Sequence, residues 1–573
     1  MSGFLNTSPL RRFFNLLKVD RQEIISIYIY ALFHGLVALS LPLGIQAIIS
    51  LISGGQVSTS WVILVVLVIA GIGLSGVIQI MQLTISENLQ QKIFTRSAFE
   101  FAYRIPRMKL EAIGNSYMPE LVNRFFDTLS VQKGLSKILM DFSSASLLVL
   151  FGLILLCLYH PFFILFSLVL LVIVYLIFRF TAPKGLKTSL VESQQKYEVA
   201  HWLEELARAM ETFKLAGNSP LPLNRTDHVV QGYLTSRKAH FKTLRIQYIN
   251  LVGFKVIIAA GLLLIGGLLV INQQMNIGQF VASEIIIILV LASVEKLILS
   301  METIYDVLTA IEKIGGVTDL PIEGDSGAKL ALNIDQGLTI HLNNISYKFK
   351  NAKEFTIKDV SMNIDSNDKI CLTGYDGSGK SVLLQIIAGL YDQYSGAISY
   401  NGIPLGNWSR EDLRSLIGDS LSKEDIFKGS LFENISLSKS TVGVEEVQKM
   451  AEVVGLTDFV ENQPAGYEME LLPEGKNLPK SIRLKVMLAR SIAGNPRLVL
   501  LEDNFNQLNQ YDKKRFLDYL MEQNCTVIAV SNDPFVAEQF HQLAVLKQGK
   551  LVAYEPLSNA KQQEWYSNVF QRR

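Results

Sequence analysis

The sequence predicts a membrane α-helical domain with six transmembrane helices, joined to an α/β domain that carries a glycine-rich loop between a strand and a helix. Three observations predict this fold class. Hydrophobic residues make up 49% of the 573-residue chain and crowd into its first half. A polar, turn-rich segment follows near residue 315, and beyond it strand and helix signals alternate around the motif GYDGSGKS. The chain is too long for one ordinary domain, so two unlike parts are expected.

Six apolar runs in the first half are mostly long enough to cross about 30 Å of hydrocarbon as helices. They cover residues 23–49, 61–83, 144–158, 162–180, 251–271 and 281–299. Three of the connecting segments, 53–60, 159–161 and 272–276, contain no Lys or Arg, whereas the other connections and the N-terminal segment are basic. The positive-inside rule therefore predicts a multi-pass protein with both termini in the cytoplasm.

The N-terminal segment 9–18 is basic and apolar by turns. It predicts an interfacial helix leading into the first span rather than a signal peptide, because the first apolar run is longer than a signal-peptide core and no small-residue cleavage pattern follows. The net charge of +1 gives no support for a nucleic-acid partner. Cys157, Cys371 and Cys525 lack metal-type spacing and are predicted to be core residues.

The domain boundaries follow from the change of composition after Gly315. We predict a transmembrane domain over residues 1–315, a linker over 316–335 and an α/β domain over 336–573. Within the last domain, the apolar runs 497–501 and 525–531 read as buried strands, which indicates a mostly parallel sheet flanked by helices.

The glycine-rich motif fits the phosphate-binding loop G-x-x-x-x-G-K-[ST] at every required position. The glycines let backbone N–H groups curl around phosphates, Lys380 can reach the β and γ oxygens, and the Ser381 hydroxyl can bind Mg²⁺. The sequence therefore predicts a nucleoside triphosphate, ATP, with Mg²⁺. The predicted contacts are Gly374, Tyr375, Asp376, Gly377, Ser378, Gly379, Lys380, Ser381 and Val382.

Six spans joined to a C-terminal phosphate-loop domain resemble a half-transporter of the ATP-binding cassette (ABC) exporter family, and the resemblance covers nearly the whole chain. Phe349 stands where the family has an aromatic residue that stacks on adenine, and 395–402 resembles the family's hairpin after the first helix. Segments 211–217 and 305–314 are similar to the branch that secretes proteins, including toxins and peptides (type I secretion).

This resemblance implies a particular setting for the chain. It implies a dimer, formed either by two copies or with a second half-transporter, embedded in the lipid of a bacterial-type plasma (inner) membrane. It also implies ATP and Mg²⁺ as cofactors, a periplasmic adaptor as a possible partner, and one ATP held between the phosphate loop of one chain and the signature segment of the other.

The signature segment departs from the family pattern. Where the family has Leu-Ser-Gly-Gly-Gln, this chain has Leu-Pro-Lys-Ser-Ile over 478–482. Pro479 removes one backbone N–H donor but suits the first turn of a helix, so the helix is expected to persist. By the resemblance, Lys480 and Ser481 would face the γ-phosphate in the opposite subunit. Lys480 either supplies a charge there or is simply solvated, as most lysines at helix ends are.

The residues that would cleave the β,γ bond depart as well. The family's Asp-Glu pair is inverted to Glu502-Asp503. Glu502 can hold Mg²⁺ through water, whereas Asp503, at the general-base position, would end about 1 Å short, which can cost on the order of a hundredfold in rate. Ser422 stands in place of the Mg²⁺-sensing glutamine. Asn532 stands in place of the switch histidine and has no titratable proton.

Two functional hypotheses remain open from the sequence. In the first, an exporter half-transporter couples nucleotide-driven closure to export of a substrate, with slow or impaired hydrolysis. The resemblance favours a protein or peptide as the substrate, and a lipid or small amphiphile stays open. In the second, the chain does not pump but acts as a nucleotide-gated membrane module, or as the degenerate regulatory subunit of a heterodimer. A bound ligand suffices for the second, because it shifts an equilibrium by its differential affinity for two states.

Overall fold

The structure is a computed structural model that describes residues 9–53, 59–114, 117–324, 335–350, 352–421, 425–503 and 505–570. The chain divides into two compact units. The first comprises Met1–Pro106 and Ser116–Leu320, and the second comprises Arg107–Asn115 and Pro321–Arg573.

The first unit is helical over its described residues. Two π-helical turns, Ile138–Phe142 and Leu262–Gly266, interrupt otherwise continuous helices. The helices are α1 (Pro9–Val19), α2 (Arg21–Ala38), α3 (Ser40–Ser53), α4 (Thr59–Arg104), then α5 (Leu110–Ile113), which belongs to the second unit, and α6 (Met118–Asn123), α7 (Asp127–Lys137), α8 (Ser143–Tyr159), α9 (Phe162–Arg208), α10 (Met210–Leu215), α11 (Leu221–Gly261), α12 (Gly267–Ile271) and α13 (Ile277–Thr318).

Within the described residues, six helical stretches are long and apolar enough to cross a membrane, which confirms the six predicted spans. They are Arg21–Ile52, Thr59–Arg107, Met118–Tyr159, Phe162–Arg208, Leu221–Ile271 and Ile277–Thr318. The helices are much longer than the apolar runs: α9 has 47 residues, about 70 Å at 1.5 Å per residue. Segments that the sequence placed in connecting loops, such as 96–104, are therefore helical continuations of the spans.

Close helix packing in the first unit depends on small residues at helix crossings. A Cβ on Gly152 of α8 would lie 2.8 Å from a methyl carbon of Val290 on α13. A Cβ on Gly185 of α9 would lie 2.2 Å from the ring of Tyr305, whose hydroxyl accepts a hydrogen bond from Gln247 Nε2 at 2.7 Å. Larger residues at these glycines would separate the helices.

The second unit contains an α/β core and its satellite sheets. Its strands are β1 (Ile340–Tyr347), β2 (Ile357–Ile364), β3 (Lys369–Gly374), β4 (Ser395–Tyr400), β5 (Ile403–Pro404), β6 (Ile417–Ser420), β7 (Gly429–Ser430), β8 (Glu470–Leu471), β9 (Leu498–Leu501), β10 (Thr526–Val530), β11 (Gln542–Lys547) and β12 (Lys550–Pro556). Its further helices are α14 (Lys380–Ile387), α15 (Arg410–Ser415), α16 (Leu431–Ser436), α17 (Val444–Val454), α18 (Thr457–Glu461), α19 (Lys480–Ile492), α20 (Gln510–Glu522), α21 (Pro534–Ala537), α22 (Leu557–Ala560) and α23 (Glu564–Phe570).

The main sheet has the strand order β12-β11-β3-β10-β9-β6 and is parallel except at the β11–β12 edge. Its inner strands β3, β9 and β10 are buried along their whole length, as the continuous apolar runs predict for a sheet covered on both faces. A four-stranded antiparallel sheet, β2-β1-β4-β5, lies beside it. Because β3, β9 and β10 are parallel neighbours, the residues that follow them meet at one edge, where ligands bind in such sheets.

The cysteines of the second unit are buried in this core. Cys371 on β3 and Cys525 before β10 are free thiols. Burial raises the pKa of the Cys371 thiol to about 12. The thiol is therefore protonated and unreactive at neutral pH, in keeping with a packing role.

A segment that is distant in sequence completes the second unit. Met108 forms an antiparallel bridge with Ile322, and the Glu323 N–H donates to the Arg107 carbonyl at 2.8 Å. In α5, the Glu111 carboxylate accepts from the N–H groups of Asp392 and Gln393, at 2.5 and 3.1 Å. The Lys109 ammonium lies 3.0 Å from Asp392 Oδ2.

Replacing Gly418 with alanine is expected to destabilise the second unit by about 1–3 kcal/mol, the usual cost of overpacking. A Cβ there would lie 1.8 Å from the backbone oxygen of Ser491, near the end of α19, so β6 and α19 would have to separate. The thermal unfolding midpoint of the full chain in detergent should fall by several degrees. Gly406→Ala is the matched control, since nothing lies within 4 Å of its Cβ position. Equal midpoints for the two variants would contradict the prediction.

Candidate nucleotide site

The loop between β3 and α14 has the conformation that its glycines allow. Gly374, Gly377 and Gly379 have φ angles of +140°, +74° and +98°. A Cβ on Gly374 would lie 2.1 Å from the backbone oxygen of Leu546, and one on Gly379 would lie 2.9 Å from that of Thr356. The first and third glycines are therefore required both by their dihedral angles and by the close approach of neighbouring backbone.

Lys380 begins α14 and turns back over the loop. Its ammonium donates to the backbone oxygens of Gly374, at 2.7 Å, and Tyr375, at 3.0 Å. Burial lowers the pKa of this ammonium, while the carboxylates of Asp376 and Asp503 act in the opposite direction. The cation is thus placed where the loop carbonyls and any bound phosphate would compete for it.

The remaining loop residues fit a phosphate and a magnesium ion. The Ser378 hydroxyl is buried, and it has no hydrogen-bond partner among the described residues. The Cβ position of Gly377 meets open space, and the neighbouring Asp376 is exposed. Ser381 lies exposed in the first turn of α14, where its hydroxyl could bind Mg²⁺, and Val382 packs against the sheet core.

The two predicted catalytic residues, Asp503 and Asn532, lie together at the same sheet edge. Asp503 follows β9 and accepts from the Ser531 hydroxyl at 3.3 Å and from the Asn532 N–H at 3.4 Å. Asn532 follows β10, and its side-chain oxygen accepts from the Thr373 hydroxyl at 2.8 Å and from the Gly374 N–H at 3.3 Å. Asn532 therefore binds the start of the loop. The contribution of Thr373 carries no sequence signal of its own.

The predicted magnesium ligands are described only in part. Glu502 is half-buried after β9, and its N–H donates to the Ser420 oxygen at 3.2 Å, which aligns it with the end of β6. Ser381 lies on α14. Ser422 lies outside the described residues.

Phe349 belongs to an aromatic cluster at the end of β1. Its ring is 39% exposed and meets the ring of Tyr347 edge-on at 5.1 Å and that of Tyr391 at 5.9 Å. The exposed part of the ring offers a stacking surface for a planar base. Tyr391 was not identified from the sequence because it lies 42 residues away, beyond α14.

The altered signature segment still starts a helix, as expected for a proline at that position. Pro479 precedes α19 with φ −58° and ψ 150°, and its oxygen accepts from the Arg483 N–H at 3.0 Å. Lys480 is exposed and Ser481 is half-buried in the first turn. Neither is brought to the phosphate loop by the hydrogen bonds of the described residues, so their contact with a nucleotide in another chain stays a prediction.

Each of the two parts of the chain matches a family model. Residues 24–294 match the family model of the ABC transporter transmembrane region. Residues 357–506 match the family model described as ABC transporter.

The chain is also similar in sequence to known transport proteins. The chain is 23% identical to the lactococcin-A transport/processing ATP-binding protein LcnC of Lactococcus lactis subsp. lactis, over 81% of this chain and 65% of that protein. It is 26% identical to the alpha-hemolysin translocation ATP-binding protein HlyB of Escherichia coli O157:H7, over 61% of this chain and 49% of that protein. The matched part of the chain thus spans less than two thirds of the length of these relatives.

Among solved structures, a bacterial Atm1-family ABC exporter with ATP bound superposes with a TM-score of 0.81. The superposition covers 97% of this chain and 98% of that one, at 15% identity. The predicted fold class, six transmembrane helices joined to an α/β phosphate-loop domain, is confirmed.

Proposed function

The chain belongs to the ABC transporters and has the fold of an ABC exporter, and on this premise we propose that it is a half-transporter that dimerises, binds ATP with Mg²⁺ and uses nucleotide-driven closure to export a substrate. Its partner is a second copy or a related half-transporter. We propose the domain division 1–315, 316–335 and 336–573, except that residues 107–115 belong to the second unit and residues 316–318 continue α13. Both termini are proposed to lie in the cytoplasm of a bacterial cell.

The phosphate loop carries this proposal. Lys380 lies over the carbonyls of Gly374 and Tyr375, and three glycines with positive φ leave the loop open for phosphate. Hydrolysis of the β,γ anhydride of ATP bound there, with water as the nucleophile, would supply free energy, and Mg²⁺ would neutralise charge on the phosphates. Ser381 and Glu502 would hold the Mg²⁺, and Phe349 would stack on the base.

Hydrolysis at this site is proposed to be slow. The Asp503 side chain is one methylene shorter than a glutamate, and it accepts from Ser531 and from the backbone of Asn532. The Asn532 side-chain oxygen is occupied by Thr373 and Gly374, and an amide cannot take up or release a proton near neutral pH. Positioning of the attacking water therefore depends on a short carboxylate that already accepts from Ser531 and Asn532.

The substrate is proposed to be a protein or peptide. The support is the similarity to a lactococcin transporter and to a hemolysin translocator, together with the segments 211–217 and 305–314. A periplasmic adaptor would be the matching partner in a bacterium with two membranes.

A second candidate function is a nucleotide-gated module that does not pump. The alteration of Pro479, Asp503 and Asn532 beside an intact Lys380 loop favours it. In this case ATP binding alone would set the conformation of the membrane unit.

The experiment that separates the two is the steady-state ATPase rate of the purified chain in lipid nanodiscs, with Lys380→Ala as control and a nucleotide-binding assay on the same samples. Slow turnover that depends on Lys380 would support the exporter with impaired hydrolysis. Binding without Lys380-dependent turnover would support the gated module. Turnover above about 1 per second, which is at the low end for enzymes, would contradict the proposal of an impaired site.

A further inference from the structure

An ion pair between a buried lysine and a half-buried aspartate lies next to the candidate catalytic residue Asn532. The ammonium of Lys513 on α20 donates to Asp533 Oδ2 at 2.7 Å. Lys513 is only 6% exposed although it is a lysine on the first turn of a helix. A buried lysine without a carboxylate partner would lower the free energy of unfolding, so the fold depends on this pair.

The same carboxylate fixes the backbone that follows β10. Asp533 Oδ1 accepts from the Phe535 N–H at 3.0 Å and so caps α21, while the Asp533 N–H donates to the Ser531 hydroxyl at 3.0 Å. Asn532 stands between these two anchored positions. Its side-chain oxygen accepts from Thr373 and Gly374 at the entry of the phosphate loop. The turn 531–533 is thus held from α20 on one side and by the loop on the other.

Lys513 is itself on a rigid support. The preceding residue, Asp512, is buried and lies 2.5 Å from the ammonium of Lys485 on α19 and 2.9 Å from the guanidinium of Arg515. Asn509 caps α20 by accepting from the Asp512 N–H at 2.8 Å. The first turn of α20 therefore ties α19 to the turn that carries Asn532.

We propose that Lys513 is a positioning residue for the nucleotide site, which acts through Asp533 to hold Asn532 against Thr373 and Gly374 and so sets the shape of the phosphate loop. The proposal rests on the proposed function in one respect, that ATP is the ligand of this loop. Among the described residues, the hydrogen bond and ion pair of Lys513 go to Asp533 and not to the phosphate loop.

Loss of the pair would act on the loop through Asn532. Without its lysine, the half-buried Asp533 carboxylate would lose its cationic partner and would turn toward other donors, taking Asn532 with it. The hydrogen bonds to Thr373 and Gly374 would then weaken, and the N–H of Gly374 would change direction at the start of the loop. Nucleotide affinity should therefore fall even though no phosphate contact has been removed.

The test uses a series of variants of the full chain in nanodiscs, with the Kd of a fluorescent ATP analogue, trinitrophenyl-ATP, in the presence of Mg²⁺. Lys513→Met and Asp533→Asn each remove one charge, and asparagine keeps the oxygen that caps α21. Lys514→Met is the matched control, because this neighbouring lysine is exposed on the same helix. Lys513→Arg keeps the positive charge and should therefore keep the wild-type affinity for the analogue.

We expect Lys513→Met and Asp533→Asn each to raise the Kd at least about fivefold. The double variant that combines them should bind no more weakly than the weaker-binding single variant, because both changes act through one interaction. Lys514→Met and Lys513→Arg should stay within about twofold of wild type. The thermal midpoint without nucleotide is recorded in parallel, since a purely structural pair would lower the midpoint and leave Kd unchanged.

Three results would overturn the proposal: an unchanged Kd in Lys513→Met while the wild-type chain binds, additive losses in the double variant, or equal losses in Lys514→Met. Failure of the wild-type chain itself to bind the analogue would overturn the proposed function and this inference together.

Discussion

Replacing Lys380 with alanine is expected to weaken ATP binding by about 10- to 100-fold. A hydrogen bond to a charged group contributes about 1.5–3 kcal/mol, which corresponds to that range of affinity. Lys380 is the cation that lies across the loop, bonded to the Gly374 and Tyr375 carbonyls. Its removal would leave the phosphates with backbone N–H and serine hydroxyl donors but without the cation of the loop. Isothermal titration of the full chain with ATP and Mg²⁺ measures the effect.

Lys449→Ala is the control, because this lysine is exposed on a helix of the same domain. An ATP affinity of Lys380→Ala within twofold of the control would mean that this loop is not the nucleotide site. The ATP-binding role of the domain would then need another location.

The combined change Asp503→Glu and Asn532→His is expected to raise the ATPase rate by about 10- to 100-fold. The longer carboxylate would recover about 1 Å of reach, and a displacement of that size can be worth on the order of a hundredfold. The imidazole would add a titratable group where the amide now binds Thr373. Phosphate release from the chain in nanodiscs is the measurement.

Each single variant and the triple variant with Lys380→Ala accompany the double one. A gain that disappears with Lys380→Ala would locate the activity at this loop. No gain in the double variant, with nucleotide binding intact, would contradict the prediction and assign the defect to the signature segment around Pro479 and Lys480.

The sequence predicted well where the chemistry is local. The loop from Gly374 to Ser381 is contiguous, so its conformation and its place between a strand and a helix followed from the motif. The six spans followed from apolar length. Even so, the helices are far longer than a bilayer is thick. Their length was not predicted, because polar helix continuations such as 96–104 have no apolar period that separates them from loops.

Contacts between distant residues were not predictable from one sequence. Thr373 and Asn532 are 159 positions apart, and Lys513 and Asp533 belong to different elements. Nothing in the local pattern marks Lys513 as buried, since lysines on helices are usually exposed. Strand order brings these groups together, and it is set by the packing of the whole sheet. The four-stranded antiparallel sheet was missed for the same reason.

The segment that carries α5 has a practical consequence for work on fragments. A protein that begins at Pro321 would lack Arg107, whose carbonyl binds the Glu323 N–H, and Glu111, which binds the N–H groups of Asp392 and Gln393. Such a fragment would expose these donors and the strand edge at Ile322, and would be prone to self-association. A synthetic peptide of residues 107–115 should bind the fragment in trans and raise its melting temperature, so the domain would behave as a split protein.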